Sequence, residues 1–341
     1  MDLDGADSYS IQYQNANNSV RVTDAFMGAV EHDDDWDLRA VSDGAVLRTV
    51  PARELMRSIA RAAWECADPG LQFDTTINRW HTTPRAGRIN ASNPCSEYMH
   101  VDDSACNLAS LNLLAFHHDD ASFDVAGFIA AVEFVFTAQD IIVGRADYPT
   151  ERIGENTRRL RQLGLGYANL GALLMSLGVS YDSDAGRALA GALTALMGGA
   201  AYNMSSRLAA RVGPFDGYLD DAESVQRVLG MHRAAVDGID ASHVPEELLA
   251  AAQAAWDDTC VRAAEGGVRN SQATVLAPTG TISFLMDCDT TGIEPDLGLV
   301  KTKKLVGGGP MQIVNRSVAR ALDHLGYGSD VVAAIEAHVD E

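Results

Sequence analysis

From Arg159 to Gly178 the sequence runs RLRQLGLGYANLGALLMSLG, with glycines at 164, 166 and 171. A residue without a Cβ lets a strand and a neighbouring strand or helix approach more closely than any other residue allows. The segment therefore reads as a strand passing into a helix, both closely packed, and this restricts the chain to layered α/β structures. A dinucleotide-binding loop is rejected, because the glycine spacing is wrong for GxGxxG and no acidic residue is placed to bind a ribose.

The flanking segments agree with this class. VTDAFMGAVEHDDD reads as a short helix ending in an acidic turn. TVPARELMRSIARAAWECADPG reads as a longer one, capped by Thr49, with Pro51 in its first turn and Asp68-Pro69-Gly70 as its stop. Leu55, Met56, Ile59, Ala60 and Ala63 form its apolar stripe, and Cys66 at its end reads as packing. Phe123 to Gly144 reads as a mostly buried helix. PEELLAAAQAAWDDTCVRAAEGG is another helix, leading into the β-type run SQATVLAPTGTISFLM, which breaks at Pro278 and turns at Gly280. With no repeat and no low-complexity linker, residues 1–341 read as one continuous domain.

Composition excludes several functions. The net charge of −21 opposes binding to a nucleic-acid backbone. Lysine occurs only at 301, 303 and 304, and that cluster reads as a solvated turn. The apolar run from Ala188 to Tyr202 is shorter than the ~20 residues a membrane span needs. The first twenty residues lack the features of a signal peptide, so a cytoplasmic location is expected. Cys66, Cys95, Cys106, Cys260 and Cys288 form no CxxC pair and no zinc-type spacing, and no metal site is expected. His117 and His118 read as surface residues in an HHDD turn.

The chemistry concentrates in GRINASNPCSEYMHVDDSACNLASLNLLAF, Gly87 to Phe116. If NPCSE is extended or a tight loop, Asn93, Cys95 and Glu97 face one pocket, with Pro94 stiffening the backbone and Ser96 between. Read locally, the same residues also suit a surface turn in which Cys95 is incidental. Further on, Pro278-Thr279-Gly280-Thr281-Ile282 offers backbone amides and two hydroxyls to an anion, glycine permitting the turn, although an ordinary turn reads the same way.

Taken together, NANNSVRVTDAFM, NPCSE, SACNLASLNL, IGENTRRLRQLGLGYANLGALLM, APTGTIS, TTGIEPDL and KKLVGGGPMQIVN resemble the catalytic subunit of ribonucleotide reductase. The chain looks most similar to the adenosylcobalamin-dependent class. The resemblance implies a ten-stranded α/β barrel with the radical cysteine on a central finger loop, of which residues 1–341 are the central to C-terminal part. It implies that Cys95 is the thiyl radical, Glu97 the base for the 3′ hydroxyl and Asn93 the amide that fixes the ribose. Cys106 becomes one member of the redox pair, whose partner lies on an earlier strand, and Pro278 to Ile282 the substrate-phosphate loop. The implied cofactor is adenosylcobalamin, and the implied substrate a ribonucleoside di- or triphosphate. A thioredoxin-like reductant and nucleotide effectors act on the complete enzyme. The first barrel strands, the allosteric region and the C-terminal redox tail are expected to lie outside this sequence. The isolated chain is accordingly expected to be inactive, whether it is a fragment or half of a split enzyme needing a second chain. An alternative keeps the reaction and takes the radical from a metal-containing subunit.

Overall fold

The computed structural model describes residues 16–304 and 309–340, which fall into two compact units divided after Asp102. The first contains β1 (Ser19–Val22), α1 (Asp24–His32), β2 (Asp35–Arg39), β3 (Val46–Pro51), α2 (Ala52–Cys66), β4 (Gly70–Phe73), α3 (Asp74–Arg79), β5 (Ala91–Ser92) and β6 (Met99–His100). β1 and β4 pair in parallel with Arg21 opposite Gln72, whereas β2–β3 and β5–β6 are antiparallel hairpins. The core is Val22, Phe26 and Ala52, packed by Trp36, Leu55, Met56 and Leu71.

Local chemistry explains the ends of these helices. Thr23 caps α1, its hydroxyl accepting the Phe26 N–H at 3.2 Å. Thr49 does not cap α2. It lies in β3, where its hydroxyl donates to Asp37 at 2.7 Å, and Pro51 takes the cap position instead. Strand pairing claims this β-branched residue before the helix begins. Ala60 and Cys66 are exposed, so the apolar stripe is narrower than the sequence suggests and Cys66 is not a packing residue. The Cys66 thiol donates to the Ala62 carbonyl at 3.2 Å on the solvent side of the last turn.

The second unit contains β7 (Asn107–Asn112), α4 (Val125–Arg145), α5 (Glu151–Leu160), β8 (Leu163–Ala168), α6 (Leu170–Ser176), α7 (Asp184–Val212), α8 (Tyr218–Val236), α9 (Glu246–Gly266) and α10 (Gly280–Leu285). β9 (Val300–Lys304), β10 (Pro310–Val314), α11 (Ser317–His324) and α12 (Ser329–Asp340) follow. β7 and β8 run parallel, and Leu165 of β8 bridges Thr274 in parallel on its other side. These pieces form an open stretch of barrel wall; among the described residues the strands do not close into a barrel.

The three glycines act as their spacing predicts. A Cβ at Gly166 would lie 2.4 Å from the Val275 carbonyl oxygen, one at Gly164 would lie 2.6 Å from Cys106 Sγ, and one at Gly171 2.9 Å from the Glu294 carbonyl oxygen. Gly166→Ala is therefore expected to lower the unfolding free energy by about 1–3 kcal/mol, because the obstruction is backbone and cannot rotate away. Urea unfolding measures this, and an unchanged midpoint would show that the 272–276 segment yields.

The helices cover the β7–β8 wall. Phe128, Val132 and Phe136 of α4 have 0% exposure, while Phe134 on the opposite face is 76% exposed. α4 is long and apolar enough by length and composition to cross a membrane, which the sequence reading missed. Its buried Asp140 instead joins an internal network: the carboxylate accepts Arg161 Nε at 2.9 Å and Asn270 Nδ2 at 2.8 Å. Ser205 of α7 donates to the Asn270 side-chain oxygen at 2.8 Å. The Ala188–Tyr202 run lies within α7, packed against Trp256 of α9.

Two polar expectations are corrected here. His117 is buried, with Nδ1 3.1 Å from an Arg320 guanidinium nitrogen, because its backbone bridges Phe123 and draws the ring inward. His118 is exposed as expected. Lys301 lies in β9 and not in a turn, and its ammonium donates to Asp296 at 2.7 Å and to the Asp289 carbonyl at 2.6 Å.

Candidate active site

In the first unit, Asn93 to Glu97 occupy the connection between β5 and β6. The turn is closed by its own polar groups. Asn93 N–H donates to the Tyr98 carbonyl at 3.3 Å, Asn93 Oδ1 accepts the Tyr98 N–H at 2.9 Å, and Ser96 N–H donates to the Asn93 carbonyl at 3.1 Å. Pro94 suits the second position of such a turn, and Ser96 takes a left-handed φ of 66°. The loop is thus tight and not extended, so the alternation of side chains along a strand does not order it.

Within it, Cys95 is exposed and its thiol has no hydrogen-bond partner among the described residues. Glu97 Oε2 is buried and likewise without a partner among them. A buried acceptor left unmet costs about 1–3 kcal/mol, which a ligand hydroxyl would relieve. Asn93 holds the turn through its oxygen, leaving its amide Nδ2 available as a donor.

The turn rests on residues that the sequence reading did not single out. Gln72 is buried, and its Nε2 donates to Ser92 Oγ at 2.8 Å and Ser96 Oγ at 2.9 Å. Arg21 donates to Gln72 Oε1 at 3.0 Å and is itself paired with Asp74 at 2.8 Å. Nothing local marks these positions; the parallel β1–β4 register brings Arg21 opposite Gln72.

His100, just beyond the turn, stacks on Tyr98 at 5.7 Å. Burial, with His81 adding to it, pushes its pKa down to about 3. An unfolded histidine titrates near 6.5, so between these values the unfolded chain binds a proton that the folded chain refuses. Stability is complete above about pH 6.5 and falls as pH drops toward 3. From pH 7 to pH 5 the expected loss is about 2 kcal/mol, read by urea unfolding at both values. His100→Asn should remove that share of the slope, and an unaltered slope would assign it elsewhere.

In the second unit, Cys106 immediately precedes β7 and is half-buried beside Gly164. All five cysteines are thiols. Pro278 to Ile282 follows the segment that bridges β8 and opens α10. Here the left-handed residue is Thr279, at φ 51°, whereas a Cβ on Gly280 would meet nothing within 4 Å. The strained position of the turn is therefore one residue earlier than expected. Thr279 Oγ1 is buried, accepting the Gly292 N–H at 2.7 Å and sharing a 2.7 Å bond with Ser283 Oγ. Thr281 is exposed, so its hydroxyl and the exposed backbone of Gly280 to Ile282 are what the loop offers an anion.

The loop is fastened to the C-terminal ends of the parallel strands, where α/β sheets characteristically bind ligands. Asn112, at the end of β7, donates to the Met286 carbonyl at 3.0 Å. Asn169, wholly buried and left-handed at φ 74°, donates to Asn112 Oδ1 at 2.9 Å and accepts the Thr290 N–H at 2.9 Å. Asn169 and Thr290 were both inside motifs already noted, yet only the fold shows what their amide and hydroxyl hold. Among the described residues no group of three His, Cys, Asp or Glu side chains is arranged to hold a metal ion.

A family model, ribonucleotide reductase, barrel domain, matches residues 5–340. The chain belongs to that family. It is 56% identical over its whole length to the vitamin B12-dependent ribonucleotide reductase of Streptomyces avermitilis, covering 36% of that protein. It is 48% identical, over 99% of its length, to the protein of the same name from Agrobacterium fabrum, covering 28% of it. A Mycobacterium tuberculosis vitamin B12-dependent ribonucleoside-diphosphate reductase is 33% identical over 94% of this chain, which covers 40% of that relative. The chain thus spans roughly a third of the curated reductases it matches. Membership of the reductase family agrees with the mixed α/β content and with a barrel present only in part.

Proposed function

We propose that residues 1–341 are the central to C-terminal part of the catalytic barrel of an adenosylcobalamin-dependent ribonucleotide reductase acting in the cytoplasm. The observation that carries this reading is the identity of 56% across the entire chain to a relative named vitamin B12-dependent ribonucleotide reductase. The exposed Cys95 thiol, unpartnered among the described residues, fits the need for a radical initiator to reach it. Adenosylcobalamin, when bound, supplies the radical that oxidises this thiol, and Cys95 is the point of this chain it must reach.

The chain's own residues then divide the work. The Cys95 thiyl takes the 3′ hydrogen atom of a ribonucleoside di- or triphosphate and returns it after reduction. Glu97 accepts the 3′ hydroxyl proton, a role suited to a carboxylate oxygen that is buried without a partner among the described residues. Asn93 Nδ2 donates to the ribose hydroxyls and orients them. The 2′ hydroxyl leaves as water. Cys106 and a cysteine outside this sequence give up two electrons and become a disulfide, which a thioredoxin-like donor reduces. Thr281 and the backbone of Pro278 to Ile282 receive the phosphates. Nucleotide effectors act on the complete enzyme, and both units belong to one barrel domain.

The test is reduction of ribonucleotides by the complete protein with and without adenosylcobalamin. Strict dependence on the cofactor is expected. Activity without cobalamin that requires a separate protein subunit would overturn the assignment of class.

A further inference from the structure

A hollow of about 680 Å³ opens within the second unit, between the Tyr167 face of β8 and helices α7, α8 and α9. Neither Cys106 nor the Pro278–Ile282 loop lines it. Its walls are mostly apolar, with aliphatic residues such as Leu170, Leu174, Val236 and Leu276 among a few rings, and the polar ends of those rings are already held. Tyr167 OH shares a 2.7 Å bond with Thr194 Oγ1, and Tyr181 OH donates to the Ile293 carbonyl at 2.7 Å. Tyr202 OH is hydrogen-bonded to the Ala273 backbone, and Trp256 Nε1 donates to the Ala195 carbonyl at 2.8 Å. His232 stacks on Trp256 with 5.0 Å between centroids and 15° between planes. Rings anchored in this way hold their positions, and Tyr167, Tyr202 and Trp256 are almost wholly buried, so a ligand need not order the wall.

The charged groups at the hollow are largely solvent-exposed. Burial pushes the His232 pKa down to about 4, leaving a neutral ring at pH 7. Arg187 donates to Asp182 at 2.7 Å and Asp184 at 2.8 Å, so its cation is already engaged by carboxylates. Thr274 lines the hollow, and its hydroxyl has no hydrogen-bond partner among the described residues.

We propose that this hollow binds a small, uncharged, largely apolar molecule, with Thr274 as its polar contact. The volume lies in the range of small-molecule sites, about 300–1,000 Å³. An apolar lining selects an apolar partner, and the charged groups at the hollow, Arg187 and its aspartates, are largely solvent-exposed and leave none for a charged ligand inside it. This site lies outside the proposed reductase chemistry and does not depend on it.

The uncharged fluorophore N-phenyl-1-naphthylamine, titrated into the purified protein, tests the proposal. Saturable one-to-one binding with a dissociation constant on the order of micromolar, accompanied by quenching of tryptophan emission, is expected. Gly191 lines the hollow, and a Cβ there would meet Ile239 at an ordinary 3.7 Å. Gly191→Leu should therefore fill the space and weaken binding at least about tenfold. The melting temperature should hold or rise, because glycine is a poor residue for a helix interior. Ala190→Leu, from the same wall, should act alike and serves if the first variant does not fold. Binding that never saturates, or that both variants leave unchanged, would overturn the proposal.

Discussion

Cys95→Ser is expected to bring ribonucleotide reduction by the complete protein to background while leaving the fold intact. The chemical reason is bond strength: an S–H bond is close in strength to the ribose C–H bond it must replace, whereas the stronger O–H bond of serine cannot be opened by the same radical. The structural reason for an intact fold is that Cys95 is exposed, with its thiol unpartnered among the described residues. Hydrogen bonds from Gln72 and within Asn93–Tyr98 hold the turn, and none of these uses the sulfur. A surface change of this kind alters stability by no more than about 0.5 kcal/mol. Deoxynucleotide formation and the melting temperature are the two readings. Normal turnover in the variant would remove Cys95 from the reaction, and a large fall in melting temperature would make the turn structural.

The largest expected loss of stability comes from Asp140→Ala. Asp140 and Arg161 are each only 10% exposed in their side chains, and Arg269 Nε lies 3.8 Å from the same carboxylate. Removing the carboxylate leaves Arg161 as an unmatched buried charge and Asn270 without an acceptor for its 2.8 Å bond. Breaking a buried pair from one side costs about 3–5 kcal/mol, whereas exposed ion pairs are worth at most about 1 kcal/mol. Against a typical stability of about 5–15 kcal/mol, this one residue on α4 is a large share. Urea unfolding measures it, and a loss below about 1 kcal/mol would mean that water or a shifted side chain replaces the carboxylate.

Part of this molecule follows from the sequence by short-range physics. Gly164, Gly166 and Gly171 announced close approach, and each faces an atom that excludes a Cβ. The capping threonine of α1 and the ends of α9 at Gly266–Gly267 also depend only on neighbouring residues. Cys95 and Cys106 stood out because short motifs from one end of the chain to the other agreed with a single family. The misread positions share another cause. Thr49, Cys66, His117 and Lys301 carry local signals for a cap, a core residue, a surface residue and a turn. Each was decided by what lies across from it: Asp37, solvent, Phe123 and Arg320, and Asp296.

The supports of the candidate site were beyond sequence reading for the same reason. Gln72 reaches Ser92 and Ser96 across 20 and 24 residues, and Asn169 reaches Thr290 across 121. The sequence by itself determined which residues could do chemistry and where the backbone must pack closely, because both depend on side-chain identity. The tertiary structure alone decided which polar groups are already satisfied and which remain open to a ligand, because burial and hydrogen bonding are made by residues far apart in the chain.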